Sequence, residues 1–316
     1  MSYKVQRISV QDIVHSLRSV GVERGDVVHV QSSLPHLGPV DSGDTPDQIL
    51  DTYRKAFDEV IGDHGTLLVH TPFEDYARYG IPFTVELSPS RAGVFSEYVR
   101  TIPGAIRSTH PVVSTAGIGP KAAEICGGSH FEGFGYQSSW GRMHRSNVLM
   151  VTLGLEFRAG LSFAHYIESL YGVPYQYCKV FSTPVESNGH VVDGTFTMRV
   201  RYLDYSIAID LSRYQRELIR RGVGRTASCG RHLVQAVRAQ DAFDVGVEML
   251  ENDVFSFLLS APTFRSGEIP ADGPTGHPGY LFDTKDGIVK TRGAKQPARP
   301  KNSSFAALRQ GINDSL

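Results

Sequence analysis

His165 and Glu168 stand three residues apart in the segment Leu161-Ser162-Phe163-Ala164-His165-Tyr166-Ile167-Glu168. On a helix, side chains three apart share a face, so the imidazole and the carboxylate can meet. Such a pair is a general base with an orienting partner. The carboxylate fixes the ring tautomer and stabilises the imidazolium formed when the ring takes a proton. The local pattern supplies the helix: Ser162 is the expected N-cap and Gly172 the residue just past the end. The apolar run at residues 148–153, closed by Gly154, reads as the buried strand that leads into it.

Three other segments carry polar chemistry. Gln31-Ser32-Ser33-Leu34-Pro35-His36-Leu37-Gly38 leaves the carboxyl end of an early strand, the edge where open α/β sheets bind ligands. It is neither a G-x-x-x-x-G-K-[ST] nor a G-x-G-x-x-G loop, which argues against nucleoside triphosphates and dinucleotides. Arg107-Ser108-Thr109-His110-Pro111 combines a fixed cation, hydroxyls and a histidine beside a proline: a polar wall of a cleft or a polar turn. Phe134-Gly135-Tyr136-Gln137-Ser138-Ser139-Trp140 is aromatic and glycine-rich, fit to line a cleft or to pack beneath a loop.

The elements that must position these residues read as α/β. A helix opens at Ser9 with apolar positions Ile13, Val14 and Leu17, and a strand follows at residues 26–31. Thr45-Pro46-Asp47-Gln48 is a helix start with a capping box. A second strand spans residues 65–70, so strand, helix and strand form a βαβ unit. Residues 71–88 read as a long functional loop, and 89–100 as a helix. Asn188-Gly189 marks a hairpin between runs at 177–185 and 191–202. Helices are expected from about 211 to 259. The fold class is therefore α/β: a largely parallel central sheet with flanking helices, an antiparallel hairpin and C-terminal helices. One catalytic domain is expected at residues 1–265, with a core at 9–172 and an antiparallel and helical subregion at 173–265. Residues 266–316 read as a weakly ordered extension.

Composition sets outer limits. A formal net charge of -1 over 316 residues gives no excess to attract nucleic acid or an anionic membrane. No apolar run reaches the roughly 18 residues of a membrane span, and the N-terminus has no signal-peptide core. The three cysteines are scattered, with no C-x-x-C, which disfavours a disulfide framework or a cysteine zinc site and suits a cytoplasmic location.

Taken together, in order and in spacing, these segments resemble the aminoglycoside N-acetyltransferase family that acts on the 3-amino group of deoxystreptamine antibiotics. The family's S-S-L-x-x-L-G loop is Ser32-Ser33-Leu34-Pro35-His36-Leu37-Gly38 here, and its G-T-L strand is Gly65-Thr66-Leu67 through Thr71-Pro72. Its P-G-x-x-R-S-x-H-P-x-x-S segment is filled at every fixed position between Pro103 and Ser114, and its H-x-x-E is His165 and Glu168. The match covers about residues 9–172 and continues weakly to 259. It implies acetyl-CoA as donor and a small-molecule primary amine as acceptor. The residues suit this, with His165 as the candidate base, Glu168 as its partner, direct transfer because no cysteine stands in a nucleophile-like context, and no metal needed. On these residues, donor contacts are expected at Ser32, Ser33, Leu34, Arg107, Ser108 and His110, and acceptor contacts at Glu74, Asp75 and Tyr136. An oligomer is compatible with the resemblance.

The chain departs from the family where acceptor recognition should lie. The family's Ser-Pro after Phe-Gly becomes Ser138-Ser139, and the 73–87 loop differs. A polycationic antibiotic calls for a strongly acidic pocket, yet Arg78 and Arg91 accompany Glu74, Asp75 and Glu86. An amino sugar or related small amine is therefore the expected acceptor, with an aminoglycoside as the alternative. Two other readings stand beside this one. His165, Glu168 and His110 could bind a metal for hydrolysis, although no H-E-x-x-H is present; or the fold could be a non-catalytic scaffold.

Overall fold

The computed structural model describes residues 7–264, except 42, 44, 203, 204 and 206, together with the backbone of 280–283 and 288–291. The first half runs α1 (Val10–Ser19), β1 (Val27–Ser32), α2 (Leu34–Leu37), α3 (Pro46–Ile61), β2 (Thr66–His70), α4 (Glu74–Tyr79), β3 (Phe83–Thr84), α5 (Val94–Thr101), β4 (Ile106–Arg107), β5 (Thr115–Ile118), α6 (Ala122–Cys126), α7 (Ser139–Arg145), β6 (Leu149–Leu153), α8 (Phe157–Gly160) and α9 (Phe163–Tyr171). The second half adds β7 (Gln176–Phe181), β8 (Val185–Ser187), β9 (His190–Val191), β10 (Phe196–Arg201), α10 (Ser212–Arg220), β11 (Arg225–Cys229), β12 (His232–Arg238), α11 (Ala239–Asn252), β13 (Tyr280–Asp283) and β14 (Ile288–Thr291). The expected capping box forms between Thr45 and Gln48, and Ser9 makes a second one with Asp12.

The central sheet has seven strands in the order β11-β12-β6-β1-β2-β5-β4. It is largely parallel in direction: only β12 and β5 run against the rest, and the parallel contacts lie at the centre, where β1 is flanked by β6 and β2. Alternation along these strands makes two unlike faces. Val28, Val30, Leu67, Val69, Val151 and Leu153 join one core under α1, α3 and α5. Leu68 and Met150 face the other core, built with α7, α9 and α11. His29, Gln31, His70 and Thr152 hold the same alternate positions as Leu68 and Met150, so the second face has a polar middle.

Three expectations are corrected. The helix expected at 89–100 begins only at Val94, because Gly93 before it has φ 117°, outside helical geometry. The 71–88 loop is partly built, with α4 and with β3, which pairs in parallel with β8. The span 211–259 is not all helical. β11 and β12 form a hairpin across the two-residue turn Gly230-Arg231 and extend the central sheet through β6.

The Asn188-Gly189 turn forms, with φ 51° and 76°, as a type I′ turn requires. Its arms are not continuous, however. The tip pairs as β8 with β9, while β7 pairs with β10. Pro184 lies at the break, where it has no N–H to give to a ladder. The extension expected at 266–316 lies outside the described residues, apart from the antiparallel pair β13 and β14.

Candidate active site

Helix α9 enters where the sequence placed it, but not by the expected cap. Ser162 has helical backbone angles and makes no capping bond. Instead Gln31, at the end of β1, grips it twice. The Gln31 Nε2 donates to Ser162 Oγ at 2.7 Å, and the Ser162 N–H donates to Gln31 Oε1 at 2.9 Å. The central strand is thus tied directly to the first turn of the helix. Gly172 ends it with φ 81°.

One turn in, His165 Nδ1 lies 2.7 Å from Glu168 Oε2. The imidazole is 41% exposed and the carboxylate not at all. A buried carboxylate must be paired or hydrogen-bonded. Here Tyr175 Oη donates to Oε1 at 2.7 Å and Gln176 Nε2 reaches Oε2 at 3.4 Å. Burial first, and then the Glu168 carboxylate, push the Tyr175 hydroxyl far above the usual tyrosine range, so it remains a donor. An ionised carboxylate only accepts. Nδ1 of His165 therefore carries a hydrogen, so that in the neutral ring the lone pair is on Nε2.

His165 and Glu168 line a cavity of about 350 Å³. Trp140 forms part of its wall, with Nε1 donating to the Val113 carbonyl at 2.9 Å. The rings of His29 and His70 meet Trp140 edge-on, each at 5.2 Å. Burial holds both histidines neutral, with their pKa values lowered to about 3. Each leaves a buried Nε2 without a partner.

The residues expected to hold the donor fall into two groups. Ser32 and Ser33 are half-buried at the carboxyl edge of the sheet, while Leu34 packs into the core. Gly154 lets this loop approach β6 closely: with φ 71°, its missing Cβ would stand 2.4 Å from the Ser33 carbonyl oxygen. The Ser33 N–H donates to the Leu153 carbonyl at 2.9 Å, which takes it out of the reach of an oxyanion. A groove of about 550 Å³ lies against the loop, lined by Leu34, Pro35, Gly38 and Tyr53, with Arg7 and Arg231 among its residues.

Arg107, Ser108 and His110 are internal instead. The Arg107 guanidinium donates to the carbonyls of Val85, Ser88 and Thr71 and to the hydroxyls of Thr71 and Ser114, and it stacks over Phe83. Burial, with Arg100 beside it, lowers its pKa to about 9, so it stays charged at neutral pH. This makes it an internal strut, not the free phosphate cation expected from the segment. Ser108 Oγ accepts from the Thr115 N–H. His110 accepts from the Val112 N–H at Nδ1, faces the Thr197 carbonyl at Nε2 and sits edge-on to Phe196. With both nitrogens engaged, and burial lowering its pKa to about 4, His110 cannot join His165 as a metal ligand. That removes the third member of the hydrolase reading.

Of the expected acceptor residues, Glu74 lines the cavity, but it pairs with Arg78 one turn along α4. Asp75 turns to Arg91. Tyr136 is 66% exposed and lies under the Arg145 guanidinium, 3.8 Å from the ring centroid. The side of the cavity that sequence reasoning missed comes from β10, which contributes Met198, Arg199, Val200 and Arg201. Burial lowers the Arg201 pKa while Glu168 opposes the shift. Tyr175, Gln176 and Gln31 were missed as well. The alternation in β10 was visible, but not which face would close over α9.

With this geometry described, comparison with known proteins gives a consistent result. The profile of the aminoglycoside 3-N-acetyltransferase family matches residues 29–251. Aminoglycoside N(3)-acetyltransferase VIII of Streptomyces fradiae is 24% identical over 76% of this chain and 91% of its own. Aminoglycoside N(3)-acetyltransferase IX of Micromonospora chalcea is 26% identical over 78% and 91%. Among solved structures, AAC-VIa bound to sisomicin superposes with a TM-score of 0.67 at 24% identity, covering 78% of this chain and 98% of that one. AAC-IIIb in binary complex with CoASH gives 0.65 at 21%, covering 81% and 100%. The chain belongs to the aminoglycoside 3-N-acetyltransferase family.

Proposed function

We propose that the protein transfers the acetyl group of acetyl-CoA to a primary amine of an amino sugar or aminoglycoside, with His165 as general base. The observation that carries this reading is the 2.7 Å pairing of His165 with the fully buried Glu168 at the edge of a ligand-sized cavity. A protonated amine cannot attack a thioester. Nε2 of His165 takes the proton, and Glu168 stabilises the imidazolium that results. The amine nitrogen then bonds to the thioester carbonyl carbon, and the C–S bond breaks as the tetrahedral intermediate collapses. The nitrogen gives up its second proton as the intermediate collapses, so that of the two protons lost one converts the thiolate to the coenzyme A thiol and the other reaches solvent, leaving the amide and a neutral His165. No enzyme-bound acyl group is needed.

The donor belongs with the Ser32–Ser33 edge of the sheet. The adjoining groove offers apolar surface for the adenine and two guanidinium groups for phosphates. The oxyanion needs donors; the Ser33 N–H is engaged, and the hydroxyls of Ser32 and Ser33 are candidates on that loop. The test is thiol release from acetyl-CoA against a panel of amino sugars and aminoglycosides. Amine-dependent release with a mass gain of one acetyl group is expected. Release that does not depend on any amine would overturn the reading.

A further inference from the structure

The cavity beside His165 carries the guanidinium groups of Arg78, Arg199 and Arg201 against the carboxylates of Glu74 and Glu168. Among these described lining residues the guanidiniums outnumber the carboxylates. Neither carboxylate is open to a cationic ligand. Glu168 is buried and bonded to His165, Tyr175 and Gln176, and Glu74 is paired with Arg78. A polycation entering this cavity would meet guanidiniums and find no accessible carboxylate left to pair with.

Arg199 is the cation to examine. Its Nη2 reaches the carbonyls of Val173 and Gln176 only at 3.3 and 3.5 Å, and its Nε is buried without a partner. Beside it, Gln176 leaves Oε1 buried and unpartnered, ready to accept from a hydroxyl or amine of a ligand. A guanidinium with so few partners is completed by an anion, with which it makes charge-assisted bonds.

We propose that the acceptor amine carries an acidic group, a phosphate or a carboxylate, which Arg199 binds while the amine faces His165. This rests on the acetyl-transfer reading above. Coenzyme A also carries phosphates, but Ser32, Ser33 and Leu34 do not line this cavity, whereas Glu74 and Arg78 of the acceptor loop do. The donor groove has its own guanidiniums in Arg7 and Arg231.

The experiment measures kcat/KM at saturating acetyl-CoA for glucosamine, glucosamine 6-phosphate, an aminohexuronic acid and gentamicin. An acidic sugar should exceed plain glucosamine by about tenfold or more, the scale of one charge-assisted hydrogen bond. Arg199→Gln should bring that ratio close to one, acting through KM of the acidic acceptor. Arg199→Lys keeps the charge and should keep much of the ratio, which preserves the test if the glutamine variant does not fold. Preference for gentamicin, or a ratio indifferent to Arg199→Gln, would overturn the proposal while leaving acetyl transfer standing. A raised KM for acetyl-CoA in that variant would also overturn it, by assigning Arg199 to the donor. Failure to acetylate any of the four amines would count against the transfer reading itself and remove this inference with it.

Discussion

The two sides of the cavity are built on opposite principles. On the side of α9, the His165–Glu168 pair is held from several directions. Glu168 is fully buried with His165, Tyr175 and Gln176 on its oxygens, and Gln31 of the central strand locks the turn before it. On the side of α4 and β10, charged residues line a half-open surface, with Glu74 and Arg78 paired to each other. A base must be pre-oriented to be useful, whereas an acceptor pocket sets which amine is accepted by charge and shape. The first side was foreshadowed by His-x-x-Glu in the sequence; the β10 wall of the second was not.

The largest effect should come from the proposed base. His165→Ala should lower kcat about 10²- to 10⁴-fold, with the melting temperature and coenzyme A affinity little changed. Glu168→Gln should cost less, because the ring keeps a hydrogen-bond partner. Near-normal turnover in His165→Ala would break the contrast, leaving the pair a structural feature.

Arg107→Met separates strut from ligand. It removes the donors to Val85, Ser88, Thr71 and Ser114 inside the protein. A loss of about 3 kcal/mol or more in urea unfolding is expected, since several buried acceptors lose their partner together. Calorimetric titration should then find coenzyme A affinity unchanged. A stable variant with weakened coenzyme A binding would restore Arg107 to the phosphate role.

Tyr175→Phe sharpens the reading of the buried carboxylate. It deprives Glu168 Oε1 of its donor, which should cost about 1–3 kcal/mol of stability. It should also move the pH profile of kcat, because the partner of His165 is less well stabilised as an anion. An unshifted profile would show that Tyr175 serves packing alone.

The smallest effect concerns the buried His29. Its pKa, about 3 in the folded protein, lies below the ordinary histidine value near 6.5. Between those values the unfolded chain binds a proton that the folded one refuses, so stability falls as pH drops through 6.5. From pH 7 to 5 this contributes a loss on the order of 1–2 kcal/mol. His29→Leu should lose correspondingly less in urea unfolding measured at the two pH values. An identical slope in both proteins would mean that His29 does not govern the dependence.

Local and periodic features were legible in the chain. His-x-x-Glu followed by glycine specifies a helix with both groups on one face, since spacing along 3.6 residues per turn needs no distant partner. The helix starts at Ser9 and Thr45, the central strands and the Asn188-Gly189 turn are of the same kind. The β11–β12 hairpin also left a local signal, in Gly230 between two runs of strand-forming residues. What only the tertiary structure decided are relations between distant segments. Gln31 reaches Ser162 across 131 residues, Arg107 turns inward to Thr71 and Ser88, and β10 brings Arg199 to the cavity of His165. A polar residue reads the same in sequence whether it binds a ligand or a buried carbonyl. The difference is which unpaired partners the fold places around it, because burial forces each polar group to find one.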